Sequence, residues 1–154
     1  LTQTGQCADS SIEQQGSTPM PAMIFLNIPV RDLEATKAYY KALGFDHNPA
    51  FTDETAACLV ISETIFVMAL THEKFLSFSP NPIPDPKSQT QALYALSRDS
   101  RMDVDAIAAT ALKAGGTEAR PAQDMGFMYS RAIADLDGHI WEYFWMDMAA
   151  VPAE

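Results

Sequence analysis

The 154-residue sequence has no long apolar run. Its longest candidate, Ile65 to Leu70, falls far short of the roughly 20 residues a membrane-spanning helix needs, so a soluble protein with no membrane partner is expected. Basic residues are scarce. Ten Lys and Arg stand against 20 Asp and Glu, and the resulting charge of −10 argues against a nucleic-acid partner. Cysteine is nearly absent: Cys7 and Cys58 have no metal-ligand spacing and make no disulfide framework. Cys58, inside the apolar stretch AACLVIS, reads as a small buried hydrophobe. Such cysteine usage fits a reducing compartment, and the expected location is cytoplasmic. No Ser-His-Asp or Cys-His arrangement, Gly-rich phosphate loop or CxxC pair is visible, which disfavours the reaction classes built on them.

With 47% hydrophobic residues, the chain can build one globular domain, or two small repeated modules sharing a core. Leu1 to Pro21 is polar, without the charged-then-apolar order of a signal peptide. Residues 1–22 are therefore expected to be a leader or appended tail, with Met20 or Met23 as the natural start and the domain spanning 23–148.

Within that domain one order of elements occurs twice. Ile24 to Val30 reads as a strand, and Asp32 caps a helix carrying Leu33, Thr36, Tyr40 and Leu43 that ends at Gly44. Of the adjacent Tyr39 and Tyr40, only Tyr40 is expected in the core. Phe45 to Phe51 reads as an irregular edge strand broken by Pro49, and Ala56 to Ser62 with Ile65 to Thr71 as a hairpin. Leu76 to Gln91 holds Pro80, Pro82, Pro84 and Pro86 and reads as a connector, able to fold over a cavity as a lid. The second copy runs through a strand Ala92 to Arg98, a helix opened by Ser100 and closed by Gly115 and Gly116, and a weak strand Thr117 to Gln123. It ends in strands Phe127 to Ala134 and His139 to Trp145. The modules are thus 24–75 and 92–146.

The last strand carries the most informative residue. Alternation puts Ile140, Glu142 and Phe144 on one face, so a single carboxylate sits among apolar neighbours and must be paired, protonated, bound to a cation or reached by water. If Ala134 faces His139 across a loop of Asp135 to Gly138, the register sets Arg131 opposite Glu142 as a cross-strand ion pair. Two roles then stay open for Glu142: a satisfied structural salt bridge, or a catalytic or ligand-contacting carboxylate. Asn27 shares a face with Phe25 and Pro29 and is read as a ligand contact. His47, His72 and His139 are not grouped and read as exposed or strand-end residues. Met125, Phe127 and Met128 read as pocket wall.

The run FLNIPVRDLEATKAYYKALGF resembles the opening of the vicinal-oxygen-chelate superfamily, which includes glyoxalase I, bleomycin-resistance proteins and extradiol dioxygenases. DLDGHIWEYF resembles its closing hairpin, and with ALYALSRDSRMDVDAIAATALKAGG the resemblance extends from Ile24 to Met146. It implies an α+β fold of two βαβββ modules forming a cupped, incomplete barrel around a small-molecule cavity, and a homodimer. It also implies metal-ligand positions on the first and last strands of each module. Carried over residue by residue, these fall on Phe25, Ala69, Leu93 and Glu142. Only Glu142 keeps a ligand type, and one carboxylate cannot make a metal site. The expectation is a glyoxalase-like or bleomycin-resistance-like protein that binds a small organic ligand without a metal or other cofactor, contacting it through Phe25, Asn27, Ala69, Leu93, Arg131 and Phe144. The alternatives are a metal-dependent lyase, isomerase or dioxygenase with another ligand set, and a non-catalytic partner-binding domain.

Overall fold

The computed structural model describes residues 20–151, and the expectation for residues 1–19 lies outside them. The first module runs β1 (Ile24–Val30), α1 (Leu33–Ala42), β2 (His47–Asn48), β3 (Ala56–Val60) and β4 (Ile65–Thr71). After α2 (His72–Phe78) and the Pro-rich connector come β5 (Leu93–Ser97), α3 (Arg101–Lys113), β6 (Thr117–Asp124), β7 (Met128–Ala134) and β8 (Ile140–Met146). Each module folds into a four-stranded mixed sheet, in the orders β1-β4-β3-β2 and β5-β8-β7-β6. In each, the first strand pairs in parallel with the last and the other pairings are antiparallel. The sheets do not close into a barrel.

Local chemistry sets the boundaries. The Asp32 carboxylate accepts from the Ala35 amide and the Ser100 hydroxyl from that of Asp103, so each long helix starts on a side-chain cap. Pro49 cuts the expected 45–51 strand short. Only His47–Asn48 pairs, after which Pro49–Phe51 form a 3-10 turn capped by the Asn48 side chain. The helix α2 was not expected. Thr71, the last residue of β4, also caps it by accepting from the Lys74 amide, so strand passes to helix with no loop between.

Each sheet packs one face on its helix. Ile28, Leu59, Val67 and Ala69 of the first sheet meet Leu33, Tyr39, Tyr40 and Leu43 in a cluster continuous with Val104, Ala108, Ala111, Ile133, Trp141 and Tyr143 of the second module. One core therefore serves both modules. Tyr39 and Tyr40 are both buried, contrary to the expectation for Tyr39. A side chain at Gly116 would meet the Tyr39 hydroxyl oxygen at 2.8 Å, so the second module makes room for that ring by having none there.

The modules are also tied by a buried polar network. Trp141 Nε1 donates to the Tyr40 hydroxyl at 2.8 Å, which donates to Asp135 Oδ2 at 2.7 Å, while Asp135 Oδ1 accepts from the amides of Asp137 and His139. Arg31 Nε donates to Asp137 Oδ1 at 2.8 Å, and His139 Nε2 donates to the Pro29 carbonyl at 2.8 Å. His139 is buried, so the expectation of an exposed strand-end residue is corrected: its ring is a bolt between modules. Burial pushes the Asp135 carboxyl above its ordinary range against the opposing pull of His139, and burial beside that carboxylate pushes the Tyr40 hydroxyl well up.

Candidate functional site

The face of each sheet turned away from its helix is partly open: Phe25 and Leu93 are exposed on it while Cys58, Leu70, Ser130 and Ala132 are buried, and alternation decides what stands there. On the first sheet it carries Phe25, Asn27 and Pro29 from β1, paired in register with Phe66, Met68 and Leu70 of β4, beside Val60, Cys58 and Ala56 of β3. Phe25 is 45% exposed and stacks on Phe66 with ring centroids 4.9 Å apart. The new helix α2 lies over one end of this face. Asn27, Leu70, Phe75, Phe78 and Ser79 line a shallow, open pocket of about 440 Å³ there. Asn27 lines this pocket, and its amide nitrogen donates to the Phe25 carbonyl at 3.1 Å.

On the second sheet the open face carries Leu93, Ala95 and Ser97 of β5, in register with Ile140, Glu142 and Phe144 of β8. Across β7 the row continues through Ala134, Ala132 and Ser130. Leu93 is 58% exposed.

Two expected positions are not on these faces. Ala69 is fully buried in the helix-packed core, because it pairs with Ile28 and Ala57; its outward-facing strand neighbours are Met68 and Leu70. Arg131 pairs with Tyr143, not with Glu142, because the closing loop is one residue longer than expected and sets Ala134 opposite Ile140. The Asp135 amide donates to the His139 carbonyl at 2.9 Å, so His139 belongs to the turn. A one-residue shift of register turns a strand residue to the other face. Arg131 accordingly reaches Glu118 at 2.9 Å and Asp105 of α3 at 3.6 Å, a structural role.

Glu142 does sit in an ion pair, with a residue sequence reasoning missed: Arg120 Nη2 donates to its Oε1. Arg120 comes from β6, whose register against β7 shifts on both sides of it. The signal was Pro121, which has no amide hydrogen and so breaks the ladder beside Arg120.

The larger cavity, of about 520 Å³, lies elsewhere, under the connector at the module junction, lined by Pro84, Pro86, Leu136 and His139 among others. Of the three carboxylates that line it, Asp135 and Asp137 Oδ1 accept hydrogen bonds that join the modules, and Asp85 accepts from the Lys87 amide within the connector. The connector thus does cover a cavity, but one built around structural bonds, and the open faces are the better candidate site.

The donor set can be tested against a divalent ion. Phe25 and Leu93 carry no donor, Ala69 points into the core, and Glu142 is held by Arg120. Among the described residues no group of three or more His, Cys, Asp and Glu side chains converges. These residues do not fit the metal centre of the metal-using members the resemblance invoked.

Residues 23–62 match a family profile described as bleomycin resistance protein-like N-terminal. The fold extends the likeness over both modules. A hypothetical protein from S. aureus is 25% identical, with a TM-score of 0.70 over 83% of this chain and 95% of that one. A glyoxalase/bleomycin resistance protein/dioxygenase family enzyme from Burkholderia phytofirmans has a TM-score of 0.67 at 19% identity, over 80% and 97% of the two chains. The chain has the fold of these glyoxalase/bleomycin resistance proteins, and its first module carries the bleomycin-resistance-like profile. A fosfomycin resistance protein from Mesorhizobium loti, 17% identical, shares the fold with a TM-score of 0.61 over 85% and 97% of the chains. None of the curated proteins matches the sequence significantly. No helix among the described residues is long and apolar enough to cross a membrane.

Proposed function

We propose that the chain is a bleomycin-resistance-like member of the vicinal-oxygen-chelate superfamily that binds a small organic ligand on the open faces of its sheets, without a metal centre. The observation that carries this reading is the make-up of those faces. Carbon side chains, Phe25, Phe66, Met68, Leu70, Leu93, Ile140 and Phe144, supply most of the surface, and a few polar groups can orient a ligand. Metal-dependent lyase, isomerase or dioxygenase chemistry needs at least three convergent donors, and the open faces offer Glu142 already paired with Arg120.

These faces and the helix α2 over one of them leave apolar side chains in water: Phe25, Phe78 and Leu93 are all exposed. A homodimer that covers part of this surface across a two-fold axis fits that exposure. A cytoplasmic location is supported by Cys58, buried and unpaired.

The test is methyl NMR during titration with N-phenyl-1-naphthylamine, a neutral apolar probe. Shifts should appear at Met68 and Ala95 on the open faces, and the core methyls of Ala69 and Ala108 should stay in place. Shifts confined to the connector cavity, or no binding at all, would remove the proposal.

A further inference from the structure

The second open face holds a donor that no described residue uses. Arg120, Ala132, Glu142 and Ala95 form one row across β6, β7, β8 and β5. The row reads guanidinium, methyl, carboxylate, methyl. Ala132, fully buried, is small enough for the Arg120 side chain to lie across it and reach Glu142 with Nη2. The other end of the fork, Arg120 Nη1, is buried and has no hydrogen-bond partner among the described residues, although the side chain as a whole is 32% exposed. A guanidinium presents planar, paired donors, and leaving one buried without an acceptor carries a desolvation cost that an arriving oxygen relieves. The neighbouring row places the hydroxyl residues Ser97 and Ser130 on either side of Phe144. An aromatic ring with the exposed Ser97 on one side and the buried Ser130 on the other therefore stands beside the unused fork.

We infer that Arg120 is a ligand-recognition residue, and that the molecule bound on this face is an apolar body bearing an anionic oxygen group such as a carboxylate or sulfonate. The inference rests on the proposed function and narrows it to a ligand class. The chain's charge of −10 works against anions at a distance. That field is screened over about 10 Å at ordinary ionic strength, so the local donor decides. Glu142 has a defined part in this arrangement. It holds the guanidinium flat over Ala132 and takes one of its ends, which makes it a positioning residue that also dilutes the positive charge the ligand meets.

The experiment compares two fluorescent probes with one ring system: 8-anilinonaphthalene-1-sulfonate, which carries the anionic oxygens, and N-phenyl-1-naphthylamine, which does not. Wild-type protein should bind the sulfonate about tenfold more tightly than the neutral probe, the size expected of one charge-assisted hydrogen bond. Arg120→Met should bring the ratio of the two affinities close to one, and Arg120→Lys, which keeps the charge without the fork, should give an intermediate ratio. Glu142→Gln should raise sulfonate affinity, because the counter-charge is gone. A purely structural ion pair predicts the reverse pattern, lost thermal stability in Glu142→Gln with no gain in sulfonate binding. Equal affinities in wild type, a preference that survives Arg120→Met, or weaker sulfonate binding by Glu142→Gln would each overturn the inference. Should Arg120→Met fail to fold, the Glu142→Gln arm decides alone. Failure of the neutral probe to bind the open faces would sink the underlying proposed function, whereas equal binding of both probes sinks only the ligand class.

Discussion

The two modules repeat one order of elements and share one core, yet their open faces have diverged. The first is apolar along β1 and β4, with α2 laid over one end and Asn27 as its polar member on β1. The second is less covered at its β5 edge and carries a guanidinium and a carboxylate in contact, flanked by serines. The helix-packed faces differ less, since both feed the same cluster, with Arg131 as the charged member on the second. The comparison teaches that duplication fixes what must pack and leaves free what meets solvent. Function in such a fold is to be sought on the faces where the copies differ.

The strongest way to break this comparison is at the shared core. Trp141→Ala removes a buried ring and the donor to Tyr40, and should lower the unfolding free energy by about 3–5 kcal/mol while leaving a single urea transition. Two separate transitions would show that the modules do not share a core after all.

Next comes Asp135, whose carboxylate joins the modules. Asp135→Asn replaces an acceptor oxygen by a donor facing other donors and should cost about 1–3 kcal/mol. Because burial raises the Asp135 pKa in the folded state, its protonation stabilises the fold. That contribution is complete below the ordinary carboxylate value and is lost as pH rises through the raised one. The difference in melting temperature between wild type and variant should therefore be largest in acid and shrink toward neutrality. A gap that widens with rising pH would contradict this assignment.

The two faces of β4 then give a smaller and sharper contrast. Ala69→Leu forces extra volume into the core and should cost about 1–3 kcal/mol by urea denaturation. Phe25→Ala, on the open face of the neighbouring strand, should cost under about 1 kcal/mol, since the half-exposed ring loses mainly its stacking on Phe66. Equal costs would mean that the faces have been assigned the wrong way round.

Much of this was legible in the sequence. Alternation of side chains placed Ile140, Glu142 and Phe144 together, and the caps at Asp32 and Ser100 marked both long helices. What was not legible depended on one-residue differences and on chain crossings. The length of the closing turn decided whether Arg131 or Arg120 met Glu142, and five turn residues instead of four reversed the answer. Ala69 was carried over by position alone, and its neighbours Met68 and Leu70 show the cost of a single step in a strand. The helix α2 was hidden because Thr71 both ends a strand and caps a helix. Burial of Tyr39 and His139 came from contacts between modules far apart in sequence, at Gly116 and at the Pro29 carbonyl.

The central claim is that this chain uses the superfamily fold to bind an organic ligand without a metal. The most direct measurement is the metal content of protein purified without a metal-affinity tag, before and after incubation with Fe(II), Mn(II), Ni(II) and Zn(II), for wild type and Glu142→Gln. The account predicts substoichiometric metal in both proteins under every condition. One metal ion per chain in wild type, lost in Glu142→Gln, would contradict it.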